Sequence, residues 1–112
     1  MQDTSTFVIL GASGGVGSSL CRRLHAAGHR VLVAGRDPDK TQSLAEELGT
    51  PWASFEATDA ESVASCLRKA ESELGGIDGA AHCVGSLLLK PGHLTTVTEW
   101  EQTIATNLHS AF

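Results

Sequence analysis

The stretch GASGGVG, residues 11–17, follows directly on the apolar run FVIL and precedes SSLCRRL. Glycine is unfavourable inside helices and strands, so four glycines in seven residues indicate a turn. A glycine-rich turn between a strand and a helix suits phosphate, because amides at the helix N-terminus point outward and the helix dipole adds partial positive charge. The order strand, glycines, helix therefore predicts a dinucleotide site, with a plain strand–helix turn as the simpler alternative.

Each glycine has an expected task in such a turn. Gly11 lies where the strand turns, Gly15 can face a pyrophosphate, and Gly17 permits close packing of the helix on the sheet. Ser13 offers a hydroxyl at the rim of the turn. The spacing is not GxGxxG, because Leu20 occupies the third glycine's place, and it is not a Walker loop, because no GKS or GKT follows.

Apolar runs alternate with helical patterns along the rest of the chain. Strands are predicted over residues 6–10, 30–35, 52–57 and 78–84. After the glycine turn, helices are expected to begin at Pro38 behind the cap Asp37, and at two capping boxes, TDAE (58–61) and TEWE (98–101).

The last helix is expected to place Ile104, Leu108 and Ala111 inward and to be still running at Phe112. Strands and helices thus alternate from end to end. This order predicts an α/β fold with a parallel sheet and helices on both faces, in one domain over residues 1–112.

The bulk composition excludes several classes of partner. A net charge of −5 gives no basic footprint for nucleic acid and would repel an anionic membrane surface. The apolar runs are far too short to span a bilayer, and the first residues, MQDTST, lack the basic region of a secretory signal. Neither a nucleic-acid partner nor a membrane partner is expected.

The cysteines and histidines indicate neither disulfides nor a metal site. Cys21, Cys66 and Cys83 are odd in number and not in CxxC spacing, so we expect them to be reduced and buried in a cytoplasmic protein. His25 and His29 are four residues apart, but the glycine before His29 is expected to end a helix and so to separate the two.

Three motifs carry a resemblance to a known family. The segment LGASGGVG (10–17) resembles the TGxxxGxG signature of short-chain dehydrogenases/reductases, with Leu10 in place of the usual Thr. Asp78 and the following GAAHCVG resemble the family's fourth strand, with HCVG (82–85) over NNAG. The segment NLHSAF (107–112) is similar to the family's helix motif N-V/L-x-x-x-F, which carries an active-site Asn.

The resemblance covers the whole chain. It implies a Rossmann-type doubly wound parallel sheet, of which this chain holds four strands in the order 3-2-1-4, the C-terminal half being missing. It also implies that the protein oxidises alcohols or reduces carbonyls with NAD(P)(H).

The motifs also depart from the pattern of the compact branch of the family. His82 stands where that branch has the first Asn of NNAG, which puts the backbone network of that Asn in doubt. The spacing GxxGxxG over residues 11–17 also fits the extended branch of the family. The segment AAHCVG (80–85) loosely matches the VIHLAA motif of that branch. Trp100 and the helix with Asn107 favour the compact branch.

The end of the second strand bears on the choice of cofactor. NAD selection needs an acid there to accept from the ribose 2′-OH, and NADP selection needs that acid absent and a cation nearby. By resemblance, Gly35 occupies the position of that acid, and Arg36 follows it. The guanidinium of Arg36 suits the 2′-phosphate of NADP, and the Ser13 hydroxyl is expected to donate a hydrogen bond to the same phosphate. Asp37 is the counterargument, although its neighbour Pro38 indicates that it caps a helix. We predict NADP(H), with NAD(H) as the alternative.

The resemblance implies a cofactor site on the loops that follow the strands. An acid past the third strand lies beside adenine in the family, which corresponds to Glu56 or, alternatively, Asp59. Gly85 is expected to line the crevice near a ribose. The predicted cofactor-binding residues are Gly11, Ser13, Gly14, Gly15, Val16, Gly17, Arg36, Glu56, Ala57, Cys83, Val84 and Gly85.

The catalytic set is incomplete in this chain. The family's chemistry resembles an Asn-Ser-Tyr-Lys arrangement, in which Tyr is the acid/base and Lys lowers its pKa. The chain has no tyrosine, and none of its lysines (Lys40, Lys69 and Lys90) lies in a YxxxK pattern. Asn107 is the one predicted catalytic residue, with the implied role of holding a water in a proton relay.

Three hypotheses follow from these observations. The chain is the N-terminal part of an enzyme acting on a small alcohol or carbonyl compound, expected to be cytoplasmic and, at full length, a homo-oligomer. It is alternatively a non-catalytic nucleotide-binding module, or a structural protein that keeps the fold without the cofactor. The unfinished last helix and the bare edge of a four-strand sheet favour the first.

Overall fold

A computed structural model describes residues 4–112 of the protein. Met1–Asp3, part of the stretch that argued against a secretory signal, lie outside the described residues. The strands are β1 (Thr6–Leu10), β2 (Arg30–Gly35), β3 (Trp52–Ser54) and β4 (Gly79–His82). The helices are α1 (Gly15–Ala26), α2 (Pro38–Leu48), α3 (Ala60–Leu74) and α4 (Val97–Asn107). Two short 3-10 turns cover Gly92–Leu94 and His109–Ala111.

The four strands form one sheet in the order β3-β2-β1-β4, and every pair is parallel. Leu10, the last residue of β1, pairs with Ala34 on one side and His82 on the other. Because the strands are parallel, the four loops that follow them leave the sheet at the same edge. The predicted Rossmann-type sheet and its strand order are confirmed.

Alternate side chains of the central strands fill two cores, one on each face of the sheet. Val8 and Leu32 belong to the core that α3 covers with Ala70. Ile9 and Val33 belong to the opposite core, which α1 and α2 cover. Strands that are buried on both faces are near-continuous apolar runs, which is why the central strands were visible in the sequence.

Two helix starts differ from the sequence prediction. The N-cap of α3 is Asp59, whose carboxylate accepts from the backbone N–H of Glu61 and Ser62, so the box predicted at 58–61 is wrong. The sequence TTVTEWE holds two overlapping boxes, and the box that forms joins Thr96 to Glu99 rather than residues 98 and 101. Each box would satisfy the orphan amides at its own helix start by the same chemistry, so local chemistry alone did not choose between them.

The end of the chain and two of the strands also differ from the prediction. Helix α4 ends at Asn107 instead of running to Phe112, and Leu108 and Ala111 are exposed rather than inward. Ile104 is half-buried. Strands β3 and β4 are shorter than predicted, ending at Ser54 and His82. The spacing shows which residues share a face of a helix, but their burial needs a neighbouring element, and none of the α4 side chains is buried.

Leu32 and Leu89 provide a matched pair for testing the core. Leu32 is 0% exposed in β2 and Leu89 is 86% exposed in the loop before α4. Leu32→Ala is expected to lower the free energy of unfolding by about 2–5 kcal/mol, because it leaves a cavity. Leu89→Ala is expected to change it by less than about 0.5 kcal/mol. Urea titrations followed by circular dichroism measure both, and equal losses would contradict the assigned core.

Candidate nucleotide-binding site

The N-terminus of α1 differs from those of the other three α-helices in the described part of the chain. Its N-cap is Gly14, with no side-chain cap and no acidic residue in the first turn. The other three helices are capped by the side chains of Asp37, Asp59 and Thr96, and each has an acidic residue in its first turn. The first amides of α1 therefore have neither a capping side chain nor a neighbouring negative charge, which favours an anionic ligand.

The turn before α1 depends on two glycines. Gly11 has a φ of +85°, and a Cβ there would lie 2.6 Å from the carbonyl oxygen of Cys83. A Cβ on Gly17 would collide with the carbonyl oxygen of Gly11 and lie 2.9 Å from the Cα of Ala12. By contrast, a Cβ on Gly15 would meet nothing within 4 Å. Close approach of backbone therefore explains the glycines at 11 and 17, whereas the sequence predicted a turn at Gly11 and close packing at Gly17 alone.

A cleft of about 390 Å³ opens at the edge of the sheet where all four strands end. The sequence-predicted residues that line it are Gly11, Ser13, Gly14, Arg36, Glu56, Ala57, Cys83, Val84 and Gly85. Gly15, Val16 and Gly17 lie in the first turn of α1 and do not line it, and the Val16 side chain is 75% exposed. The parallel sheet thus brings together residues from four separate loops.

Sequence reasoning missed several residues of the same cleft: Lys40, Phe55, Thr58, Ser86 and Thr106. Lys40 had a usable signal, because it lies in the first turn of α2, three residues after the cap Asp37 and close to Arg36 along the chain. Thr106 had none, because the approach of α4 to the sheet edge is a tertiary feature.

Two acids near the cleft are engaged in helix capping. Asp37 Oδ1 accepts from the amides of Asp39 at 3.0 Å and Lys40 at 3.3 Å, as the following proline indicated. Asp59 likewise caps α3. Asp37 nevertheless lines the cleft, as does Glu56, which accepts from the Thr58 hydroxyl at 3.1 Å.

Asn107 connects the end of α4 to the loop after β4. Its Oδ1 accepts from the amide of Ser86 at 3.0 Å, and its Nδ2 donates to the Ser86 hydroxyl at 3.1 Å and to the Thr103 carbonyl at 2.9 Å. It does not itself line the cleft, although its neighbour Thr106 does. At the end of β4, His82 Nε2 lies 3.0 Å from the Ser110 hydroxyl, a second link to the same region.

The cysteine prediction holds for two of the three thiols. Cys21 and Cys66 are buried, and Cys83 is half-buried at the cleft. Burial raises the pKa of the Cys21 thiol to about 12, with the nearby Cys83 adding to the effect, and burial raises the pKa of Cys66 as well. Both thiols therefore stay protonated and behave as small apolar side chains.

Neither metal-ligand clusters nor spanning helices occur in residues 4–112. No three His, Cys, Asp or Glu side chains in that range converge as a metal site would require. His29 has a structural contact instead, because its Nδ1 accepts from the amide of Ser5 at 3.1 Å. Within the same range, none of the helices combines the length and the apolar character that crossing a membrane demands.

The short chain dehydrogenase family model matches residues 5–112, so the chain belongs to that family. An uncharacterized oxidoreductase of Staphylococcus aureus is 31% identical over 104 residues, which are 90% of this chain and 45% of that protein. A probable NADP-dependent dehydrogenase of Haemophilus influenzae is 28% identical over 94% of this chain and 43% of its own length.

A solved structure of actinorhodin polyketide ketoreductase with NADPH has the same fold. It superposes on this chain with a TM-score of 0.92, at 20% identity, over 100% of this chain and 45% of its own. The chain thus spans less than half the length of each of these proteins.

Gly17 and Gly15 test the packing of the turn. Gly17→Ala is expected to lower the free energy of unfolding by about 1–3 kcal/mol, because the new methyl group overlaps the Gly11 carbonyl. Gly15→Ala, two residues earlier in open space, is expected to be neutral or to stabilise by up to about 1 kcal/mol. Equal urea midpoints for the two variants would contradict the packing described.

The Glu99 carboxylate gives the loop before α4 a pH dependence. The ammonium of Lys90, 2.8 Å away, and the amide of Thr96 lower the pKa of Glu99 from 4.5 to about 2. A depressed folded-state pKa contributes stability above about pH 4.5 that is lost as the pH falls towards 2. Glu99→Gln is expected to reduce the dependence of the urea midpoint on pH between about pH 4.5 and pH 2. Glu101→Gln, an exposed glutamate in the same helix, is the control and should leave that dependence unchanged.

Proposed function

We propose that this chain binds NADP(H) and is the nucleotide-binding part of an NADP(H)-dependent oxidoreductase that acts on a small alcohol or carbonyl compound. The observation that carries the proposal is that the glycine turn before α1 and Arg36 line the same cleft. A helix N-terminus suits the pyrophosphate, and a guanidinium suits the additional 2′-phosphate.

The charges around Arg36 support the phosphorylated cofactor. Lys40 lines the same cleft, which gives it a second cation besides Arg36. The carboxylate of Asp37 is engaged with two amides of α2, and Gly35 has no side chain to accept from a ribose hydroxyl. The Haemophilus influenzae relative is named a probable NADP-dependent dehydrogenase, and the ketoreductase structure contains NADPH.

The remaining lining residues suit the other parts of the dinucleotide. Glu56 and Ala57, after β3, would hold the adenine end, and Cys83, Val84 and Gly85, after β4, would lie along the nicotinamide ribose. A Cβ on Gly14 would be in ordinary contact with the Gly11 carbonyl, 3.6 Å away, so packing within the chain does not require a glycine at the helix N-cap. When bound, the nicotinamide would supply or accept the hydride.

Asn107 would act in the proton relay by positioning rather than by titration. Its amide makes two hydrogen bonds to Ser86 at the rim of the cleft, and a third bond, to the Thr103 carbonyl, fixes the amide to α4. The chain has no tyrosine, so the acid/base of the reaction would come from residues beyond these 112, and the chain by itself would not reduce a carbonyl. A second candidate, a nucleotide-binding module without catalysis, is supported by the same absence.

The proposal includes a cytoplasmic location and a homo-oligomeric assembly of the whole protein. Two buried thiols and no disulfide among the described residues suit a reducing cytoplasm. The exposed apolar side chains of α4, among them Val97 at 73% and Trp100 at 62%, suit association of the whole protein into a homo-oligomer.

The test compares Arg36→Ala with Arg68→Ala, an arginine on the exposed side of α3 that pairs with Glu61. Titration of NADPH and NADH, followed by nucleotide fluorescence, gives the two dissociation constants. Arg36→Ala is expected to weaken NADPH about 10- to 100-fold, because a charge-assisted contact to phosphate is lost, and to leave NADH nearly unchanged. Arg68→Ala should affect neither. An unchanged NADPH constant in Arg36→Ala would refute the assignment.

A further inference from the structure

We infer that Thr41 is a specificity-determining residue, because its buried hydroxyl fills the space in which an NAD-selecting carboxylate would have to begin. The inference rests on the proposed NADP(H) site and deepens it. Thr41 lies in the first part of α2 and is the one fully buried polar residue among the described residues. Its hydroxyl occupies the space that a side chain at position 35 would need, and Gly35 is the last residue of β2.

The geometry at Gly35 leaves no room for a side chain. A Cβ built on Gly35 would approach the Oγ1 of Thr41 more closely than real atoms do. It would also lie 3.0 Å from the Oγ of Ser13 and 3.5 Å from its Cβ. Gly35 does not have a positive φ, so the exclusion is one of space and not of backbone conformation. Two hydroxyls from separate elements thus close the slot.

Thr41 cannot easily give way. Its side chain is 0% exposed, and Oγ1 donates to the carbonyl of Asp37 at 2.7 Å. Moving the hydroxyl aside would break that bond in a place where water cannot replace it, and the branched Cβ leaves few other rotamers in a helix. The same Asp37 carbonyl accepts from the amide of Thr41, so the hydroxyl is fixed to the start of α2.

The consequence is a two-part selection of the cofactor. Attraction comes from Arg36 and Lys40, which line the cleft. Exclusion comes from Thr41 and Ser13, which prevent a carboxylate at position 35 from reaching the ribose hydroxyl that NAD presents. An aspartate introduced at position 35 alone should therefore fail to tighten the binding of NADH.

The first experiment tests the packing without any nucleotide. A double-mutant cycle compares Gly35→Ala in the original chain and in a Thr41→Ala background, with the urea midpoint as readout. Gly35→Ala is expected to lower the midpoint in the original chain and to lower it far less beside Thr41→Ala. Thr103→Ala is the control background, because Thr103 makes the same bond in α4, to the Glu99 carbonyl at 2.7 Å. Equal losses in all three backgrounds would overturn the inference.

The second experiment tests selection by titrating NADH and NADPH into Gly35→Asp and into Gly35→Asp with Thr41→Ala. The double variant is expected to bind NADH at least about tenfold more tightly than the single variant, and both are expected to bind NADPH more weakly than the original chain. A single variant that binds NADH as well as the double variant would overturn the inference. If the original chain binds no NADPH, the proposed function fails and the specificity role with it, whereas the stability cycle still decides whether Thr41 fills the slot.

Discussion

The turn between β1 and α1 depends on close backbone contacts at two glycines, Gly11 and Gly17. No side chain stands on Gly11 or Gly17, so the carbonyl of Gly11 lies directly beneath the first turn of α1, and the Cys83 backbone lies against Gly11. The amides of Gly11 and Ala12 both donate to the Ala34 carbonyl at 2.9 Å, which ties the turn to β2 as well. These contacts place the open N-terminus of α1 at the sheet edge.

The position of that helix end organises the cleft. A parallel sheet delivers the ends of four strands to one edge, where residues distant in sequence become neighbours. Arg36 follows β2 and Lys40 lies in the next helix, whereas Glu56 follows β3 and Gly85 follows β4. The helix dipole and the two cations make the β1–β2 side of the cleft favourable to phosphate. The two other acids nearby are bound to helix amides, which reduces their opposition to an anion.

The region after β4 is built differently from the rest of the chain. Helix α4 has no buried residue, and it is held mainly by polar links, the Asn107–Ser86 pair and the Lys90–Glu99 ion pair. The chain spans less than half the length of its relatives in the short-chain dehydrogenase family. The apolar spacing of the last helix suited an inward face, but Ile104 is only half-buried and Leu108, just past the end of α4, is 63% exposed.

The sequence by itself determined the order of elements, the parallel sheet and the glycine turn between β1 and α1. These follow from local properties: apolar runs, glycine spacing, and caps such as Asp37, whose interactions lie within a few residues. Only the tertiary structure decided which capping box opens α4, where α4 ends, and which side chains share the cleft. It also decided that Thr41 closes the space over Gly35, because that contact joins the end of a strand to a helix whose placement depends on packing across the sheet.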